Sequence, residues 1–309
     1  MHPAYSVILF TTASGAGYGL LALLGLVGLS HGEASSLVFG LTAMVIALGL
    51  VTTGLLASTF HLGHPERAWR AFSQWRSSWL SREGVAAVFT YLPAVLFGAV
   101  WSGLLEAPAF IAPLAVFTSV MAMVTVVCTG KIYSTLVTIR AWNNRLTVPV
   151  YLAFALSTGA TVLAALTSIF GNFPAFLVFF SSALLLLTII VKLVYWHSID
   201  KAPPEHTMEN ATGLGRIGSV SQWEVPHTSA NYIQKEMGYA VARKHAQKLR
   251  RLAIFALILA ILLMLAALAF PLAALLAAAA ALFATAVERW LFFAEAQHVS
   301  MLYYGEKTA

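Results

Sequence analysis

The stretch from Leu252 to Val287 reads LAIFALILAILLMLAALAFPLAALLAAAAALFATAV, and how it is divided decides the fold. Its 36 residues carry no charge, and as one unbroken helix they would extend about 54 Å at about 1.5 Å per residue. A hydrocarbon core is only about 30 Å thick and takes about 20 helical residues. Pro271 separates two halves of membrane length, and proline lacks the N–H of the helical ladder and clashes with the preceding turn. The expectation is two spans, Leu252–Phe270 and Leu272–Phe293, joined by a tight hairpin. One kinked, tilted helix is the alternative.

The same test along the rest of the chain gives six more apolar runs: Tyr5–Leu29, Ser36–Phe60, Gly84–Leu104, Phe110–Val127, Val148–Phe170 and Phe173–Trp196. With 60% hydrophobic and 10% charged residues, the chain is far from the roughly 25% charged composition of soluble domains. It therefore reads as an all-α integral membrane protein, a single polytopic domain over residues 1–309 with about eight transmembrane helices. The first run lacks a basic leader and a small-residue cleavage site, so it is expected to be a retained span. The single Cys128 sits in an apolar segment, which excludes disulfides within the chain and thiolate or iron–sulfur ligation by this chain.

Eight spans put the connections alternately on two faces. The connections at Ser30–Ser35, Glu106, Gly171-Asn172 and Pro271 contain no lysine or arginine. All eighteen basic residues are assigned to the other face, Lys192 and Arg289 among them. By the positive-inside rule that face is cytoplasmic, so both termini are expected in the cytoplasm and the membrane is the bacterial inner membrane. The net charge of +6 belongs to lipid headgroups and orientation rather than to nucleic acid. The polar segment 197–251 is too poor in apolar residues to bury its own core; it reads as a partner-docking loop whose charged end runs into the seventh span.

The connection after the second span contains His61-Leu62-Gly63-His64-Pro65-Glu66-Arg67-Ala68-Trp69-Arg70, then Phe72, Trp75, Trp79 and Ser81-Arg82-Glu83. Residues 61–83 are expected to form a cytoplasmic interfacial helix with an aromatic face and snorkelling arginines. His61 and Glu83 bracket it at the mouths of spans two and three. Ionisable groups there are functional candidates. A quinone needs a hydrogen-bond donor for its carbonyl oxygens and a route for two protons, which an imidazole and a carboxylate supply. A satisfied interface histidine is the bland reading of His61. Three further features carry less. His61, His197 and His298 lie near span ends without the deep pairing a haem needs, so no haem is expected. Gly213-Leu214-Gly215-Arg216-Ile217-Gly218 matches a nucleotide fingerprint literally but lacks its strand and helix context, and reads as a flexible turn. Ser14-Gly15-Ala16-Gly17-Tyr18-Gly19 reads first as close helix packing and second as room for a flat ring. A transporter would need an intramembrane polar site and broken helices in matching halves. The span interiors read as nearly free of charge.

Several stretches together resemble the membrane-anchor subunits of the DMSO reductase group of molybdenum enzymes. They are His2-Pro3 with Phe10-Thr11-Thr12 and Gly15, the His61-Leu62-Gly63 run with Pro65 and Arg67-Ala68, and Leu80-Ser81-Arg82-Glu83. Gly213–Gly218, Pro226-His227-Thr228 and Asn231-Tyr232 with Lys235-Glu236-Met237-Gly238 complete them. The resemblance implies an eight-helix anchor without haem, holding an iron–sulfur subunit that in turn carries a molybdopterin catalytic subunit. It also implies a site for ubiquinone or menaquinone at His61 and Glu83, with Arg67 a weaker member. The one-sided charge then favours cytoplasmic partners, as in the subgroup that oxidises sulfite. A quinol-oxidising anchor of a DMSO or polysulfide reductase is the rival, and a purely structural anchor is another.

Overall fold

The computed structural model describes residues 3–31, 35–60, 62–171, 173–202, 206–224, 228–229, 231–237 and 241–307. Its helices in chain order are α1 (Tyr5–His31), α2 (Leu37–Thr59), α3 (Trp79–Trp101), α4 (Ile111–Ser134), α5 (Thr147–Ile169), α6 (Ala175–Lys201), α7 (Met208–Thr212), α8 (Tyr232–Met237), α9 (Val241–Ala266) and α10 (Ala273–Ala294). All but the short α7 and α8 are long and apolar enough to cross a membrane, as their composition requires.

The chain turns at Pro271. Helix α9 stops at Ala266, and Ala273 N–H and Ala274 N–H close the turn onto the carbonyls of Phe270 (2.8 Å) and Pro271 (3.0 Å). Because α9 already begins at Val241, the charged residues before Leu252 are continuous with the span. The third span also begins early, at Trp79, so Glu83 lies inside a helix rather than in a connection.

Helices α1 to α4 pack into one group of four, and α5, α6, α9 and α10 into another. The two groups meet where α1 and α4 lie against α5 and α1 touches α10. Small residues make this seam possible, since lipid offers no hydrophobic drive between helices and close van der Waals approach must supply it. A Cβ added at Gly19 would sit 1.8 Å from the Ala155 carbonyl oxygen, and one at Gly159 2.3 Å from the Gly19 carbonyl carbon. Gly15, four residues earlier on α1, faces open space. The packing reading of the glycine stretch therefore holds at Gly19, and room is left at Gly15.

The segment after α2 is a 3₁₀ helix, Pro65–Gln74, not an α-helix. Side chains three apart eclipse in a 3₁₀ helix, so Trp69, Phe72 and Trp75 align along one edge and Arg67, Arg70 and Arg76 along another. The arginines fold over the rings: Arg70 lies 5.7 Å from the Trp69 centroid and Arg76 5.4 Å from that of Trp75. Every residue of this helix is at least partly exposed, as an interfacial element requires.

Two expectations about charge fail. Lys192 and Arg289 are not in connections: α6 continues nine residues past Lys192 and α10 five past Arg289. With Glu288 they lie inside the bundle, so its interior is not nearly free of charge.

In the segment after α6, the Gly213–Gly218 stretch follows helix α7, not a strand. Gly213 takes the left-handed conformation (φ 69°) that closes the helix, and a 3₁₀ turn Leu214–Arg216 follows. That is a helix stop without the strand a nucleotide site requires. The segment rests on the C-terminal 3₁₀ helix Val299–Tyr304: Asn231 Nδ2 donates to the Tyr304 hydroxyl (2.9 Å) and Gln222 Nε2 to the Tyr303 carbonyl (3.3 Å). Glu209 accepts the Val220 N–H at 3.1 Å, which holds its carboxyl below the usual carboxylate value.

Candidate functional site

Ser78 caps α3 through the Ser81 N–H, which starts the helix early enough to put Glu83 on the turn facing α4. There Glu83 is 5% exposed and accepts a hydrogen bond from the Thr129 hydroxyl of α4. A carboxyl group this deeply buried is costly and calls for a functional reason. The interfacial segment is fastened over it. Ser81 Oγ donates to the Ala71 carbonyl, and Arg82 donates through Nε to Trp75 O (3.0 Å) and through Nη2 to Arg76 O (2.6 Å) while stacking 4.3 Å from the Trp79 ring.

His61 lies outside the described residues. Arg67 is exposed and sits 3.7 Å from Glu66, whose carboxylate also meets His64 Nδ1 at 3.0 Å. The structure thus places Glu83 in a buried site and Arg67 on the surface of the 3₁₀ helix, and does not bring the two together.

Thr129 is also one wall of a cavity at the seam between the two helix groups. The cavity is lined by Thr11, Thr12, Ser14, Gly15 and Tyr18 of α1, Thr129 of α4, Tyr151 and Thr158 of α5, and Thr285 and Arg289 of α10. At its far wall stands a buried ionic cluster. Lys192 Nζ is 2.5 Å from Glu288 Oε1, and Arg289 Nε is 2.6 Å from Glu288 Oε2; all three side chains are at most 1% exposed. Aromatic faces enclose the two cations. Lys192 lies 4.0 Å from the Tyr195 centroid and 4.9 Å from that of Trp196, and Arg289 lies 3.9 Å over Tyr151. These contacts replace part of the lost hydration, and one carboxylate balances only one of two positive charges.

Outward of the cluster, Arg250 on α9 bridges Asp200 at the end of α6 (2.6 and 3.1 Å) and Glu295 after α10 (2.9 and 3.2 Å). Its guanidinium stacks 5.2 Å from the same Trp196 ring that Lys192 meets. A surface cavity of about 270 Å³ opens beside Arg140, Asp200, Arg250 and Glu295.

The model of the DMSO reductase anchor subunit family matches residues 1–295, nearly the whole chain. The chain belongs to that family. This anchor is also 32% identical to a sulfite dehydrogenase subunit of Allochromatium vinosum, over 98% of this chain and 99% of that one. As a membrane anchor it serves a multi-subunit enzyme, and among the described residues eight helices are long and apolar enough to supply the attachment to the bilayer.

Within the anchor, sequence reasoning picked out Glu83 as a candidate, which the structure buries, and missed the buried charges of Lys192, Glu288 and Arg289. Lys192 lies four residues inside the expected end of its span at Trp196, yet was counted with the connection that follows. The signal for the other two is an acid and a base adjacent in sequence, Glu288-Arg289, at the end of a long charge-free run and followed by Trp290-Leu291-Phe292-Phe293. Apolar residues on both sides put such a pair inside the membrane, where pairing is the default.

Proposed function

We propose that this anchor passes electrons from a cytoplasmic molybdenum and iron–sulfur enzyme to quinone, with Glu83 as the group that hands a proton to the substrate. The observation that carries the reading is the buried carboxyl of Glu83, held by the Thr129 hydroxyl directly beneath the interfacial segment. Apolar surroundings suit a quinone ring. A carboxyl one turn into the helix, about 6 Å from its start by rise, lies at the depth of a headgroup entering from the interface. His61 is the proposed hydrogen-bond donor for the other carbonyl; Arg67, exposed on the 3₁₀ helix, contributes to docking or lipid contact instead.

The likeness to a sulfite dehydrogenase subunit supports sulfite as the electron donor. Sulfite plus water gives sulfate, two protons and two electrons on the catalytic partner, and quinone takes up two electrons and two protons at the anchor. The one-sided basic residues support partners and termini in the cytoplasm of a bacterial cell and quinone reduction in its inner membrane.

The test is Glu83→Gln in the assembled complex. Quinone reduction driven by sulfite should fall at least a hundredfold, while sulfite oxidation coupled to ferricyanide stays at the parent rate. Retained quinone turnover would sink the proposal. Recovery of a catalytic subunit with an export signal would instead favour a reductase drawing electrons from quinol.

A further inference from the structure

We propose that the Lys192–Glu288–Arg289 cluster and the cavity it faces form the proton feed for Glu83, a relay at the seam of the two helix groups. The inference rests on the quinone-reactive reading of Glu83 and adds the route by which its proton is replaced.

The cavity supplies the first argument. Buried polar groups are almost always hydrogen-bonded, yet Thr12 Oγ1 and Tyr18 OH are buried and meet no partner in the chain at hydrogen-bonding geometry, and beside them stand the Tyr151 hydroxyl and the Arg289 guanidinium, which is paired with Glu288 and lies over the Tyr151 ring. All four residues line this one cavity. Its volume is about 10 Å³, at the lower edge of the ~10–15 Å³ that one water needs. Donors and acceptors converging on a space of that size fit a single bridging water.

The second argument is continuity. Thr129 lines the cavity and donates to Glu83, so its oxygen remains able to accept a proton from the cavity side. On the opposite wall Arg289 is paired with Glu288 and Glu288 with Lys192. Lys192 shares the Trp196 ring with Arg250, which borders the surface cavity at Asp200 and Glu295. Charged and polar groups therefore run from the basic face toward Glu83, with the Trp196 ring standing between Lys192 and the surface cavity.

The third argument is cost. Three charges within the bundle forfeit their hydration, and a buried ion pair contributes little net stability against apolar residues of the same size. Stability alone does not account for the cluster.

In each turnover Glu83 gives its proton to a quinone oxygen. The carboxylate takes the Thr129 hydroxyl proton, and Thr129 takes one from the water. The water is refilled through Tyr151 and Glu288 from the Lys192 ammonium, which is reprotonated by water that reaches it past the Trp196 edge from the surface cavity. Arg289 keeps its charge throughout and holds the file electrostatically. Only O–H and N–H bonds change, one proton moves, and the electrons come from the partner subunits.

The test replaces Lys192→Met and Glu288→Gln together, which removes one positive and one negative charge and leaves the site's net charge unchanged. In the assembled complex, turnover with decylubiquinone should fall at least tenfold at unchanged KM, ferricyanide-linked oxidation should hold, and sodium formate should restore part of the quinone rate by carrying protons past the break. A rate within twofold of the parent, or a loss that formate does not restore, overturns the relay. Should the pair fail to assemble, Tyr151→Phe decides. It removes only the hydroxyl from the cavity wall, so it should slow quinone turnover severalfold with the same rescue, and a parental rate overturns the proposal. If Glu83→Gln itself spares quinone turnover, the quinone reading has failed rather than the relay.

Discussion

Gly19→Ala should be among the most damaging single methyl additions in this protein, whereas Gly15→Ala should leave its stability unchanged. A Cβ at Gly19 meets the Ala155 carbonyl oxygen at 1.8 Å and its carbon at 2.5 Å, and ordinary contact begins at 3.4 Å. Backbone is on the receiving side, so no rotamer change relieves the clash. Helices α1 and α5 must part by about 1.6 Å, the shortfall between 3.4 and 1.8 Å. A gap of 0.5–1 Å already forfeits a quarter to a half of a dispersion well, and α1 packs against α2, α4 and α10 as well as α5, so the shift disturbs several seams. Overpacking of this kind costs about 3 kcal/mol, on the order of a hundredfold in the folding equilibrium. Gly15 on the same stretch has nothing within 4 Å of an added Cβ. The assay is thermal melting of the purified anchor in mild detergent, followed by the fraction that still elutes as a monodisperse peak after heating. Equal melting of Gly19→Ala and the parent, or of the two alanine variants, would refute this account of the seam.

Arg250→Lys should destabilise the junction of α6, α9 and α10 by roughly 1–2 kcal/mol, because an ammonium cannot fork across two carboxylates as a guanidinium does; unchanged denaturant resistance would contradict it. His298 accepts the Ser300 N–H through Nδ1 at 3.1 Å, and partial burial holds the imidazole below its ordinary value of 6.5. Its contribution is therefore complete above pH 6.5 and lost as pH falls through the lowered folded value. Amide exchange across Val299–Tyr304 should show protection weakening on acidification; pH-independent protection after correction for intrinsic rates would refute it. A Ser77→Cys anchor should react with a membrane-impermeant maleimide only after the cytoplasmic side is exposed, while labelling of intact cells would reverse the proposed orientation.

Crossing number and the Pro271 hairpin were legible because both follow from arithmetic: residues per crossing, and one residue that cannot donate. The interior was less legible. Sequence periodicity says little in a membrane, where the outward face is as apolar as the core. Residues such as Phe255, Leu262 and Phe283 are exposed to the surroundings of the bundle while Ala260 and Ala281 are buried. Between these helices hydrophobicity therefore does not mark the buried face, since large apolar side chains point outward while alanines fill the contact. Span ends were uncertain for the same reason: the run was ended at Trp196 and Lys192, just inside it, was counted with the connection, yet α6 continues to Lys201. The 3₁₀ form of Pro65–Gln74 was readable in principle, since the three-residue steps among Trp69, Phe72 and Trp75 and between Arg67 and Arg70 fit that helix better than an α-helix.

Moving Lys192 and Arg289 into the bundle leaves the proposed orientation resting on the other basic residues. Eighteen basic residues less these two leaves sixteen, in connections or toward the helix ends of one face, with Arg250 and Arg251 the deepest at nine and ten residues into α9. The buried charges keep the same bias: Glu83 is four residues from the start of α3, Arg289 five from the end of α10 and Lys192 nine from the end of α6. Toward the opposite face the buried polar side chains among the described residues are hydroxyls, such as Thr118, Thr167, Ser168 and Ser181. A redox enzyme that stores energy by drawing protons across the membrane needs exchangeable groups through its full thickness. Here sulfite oxidation would release two protons into the same compartment from which quinone reduction takes two, so turnover would build no membrane potential, and energy would be conserved only by whatever oxidises the quinol. Proteoliposomes holding the complex, a quinone and a potential-sensitive dye should show sulfite-driven quinone reduction with no dye response. A potential that appears with turnover and collapses with an ionophore would mean that protons enter from the far face, and both the relay and the one-sided reading would fall with it.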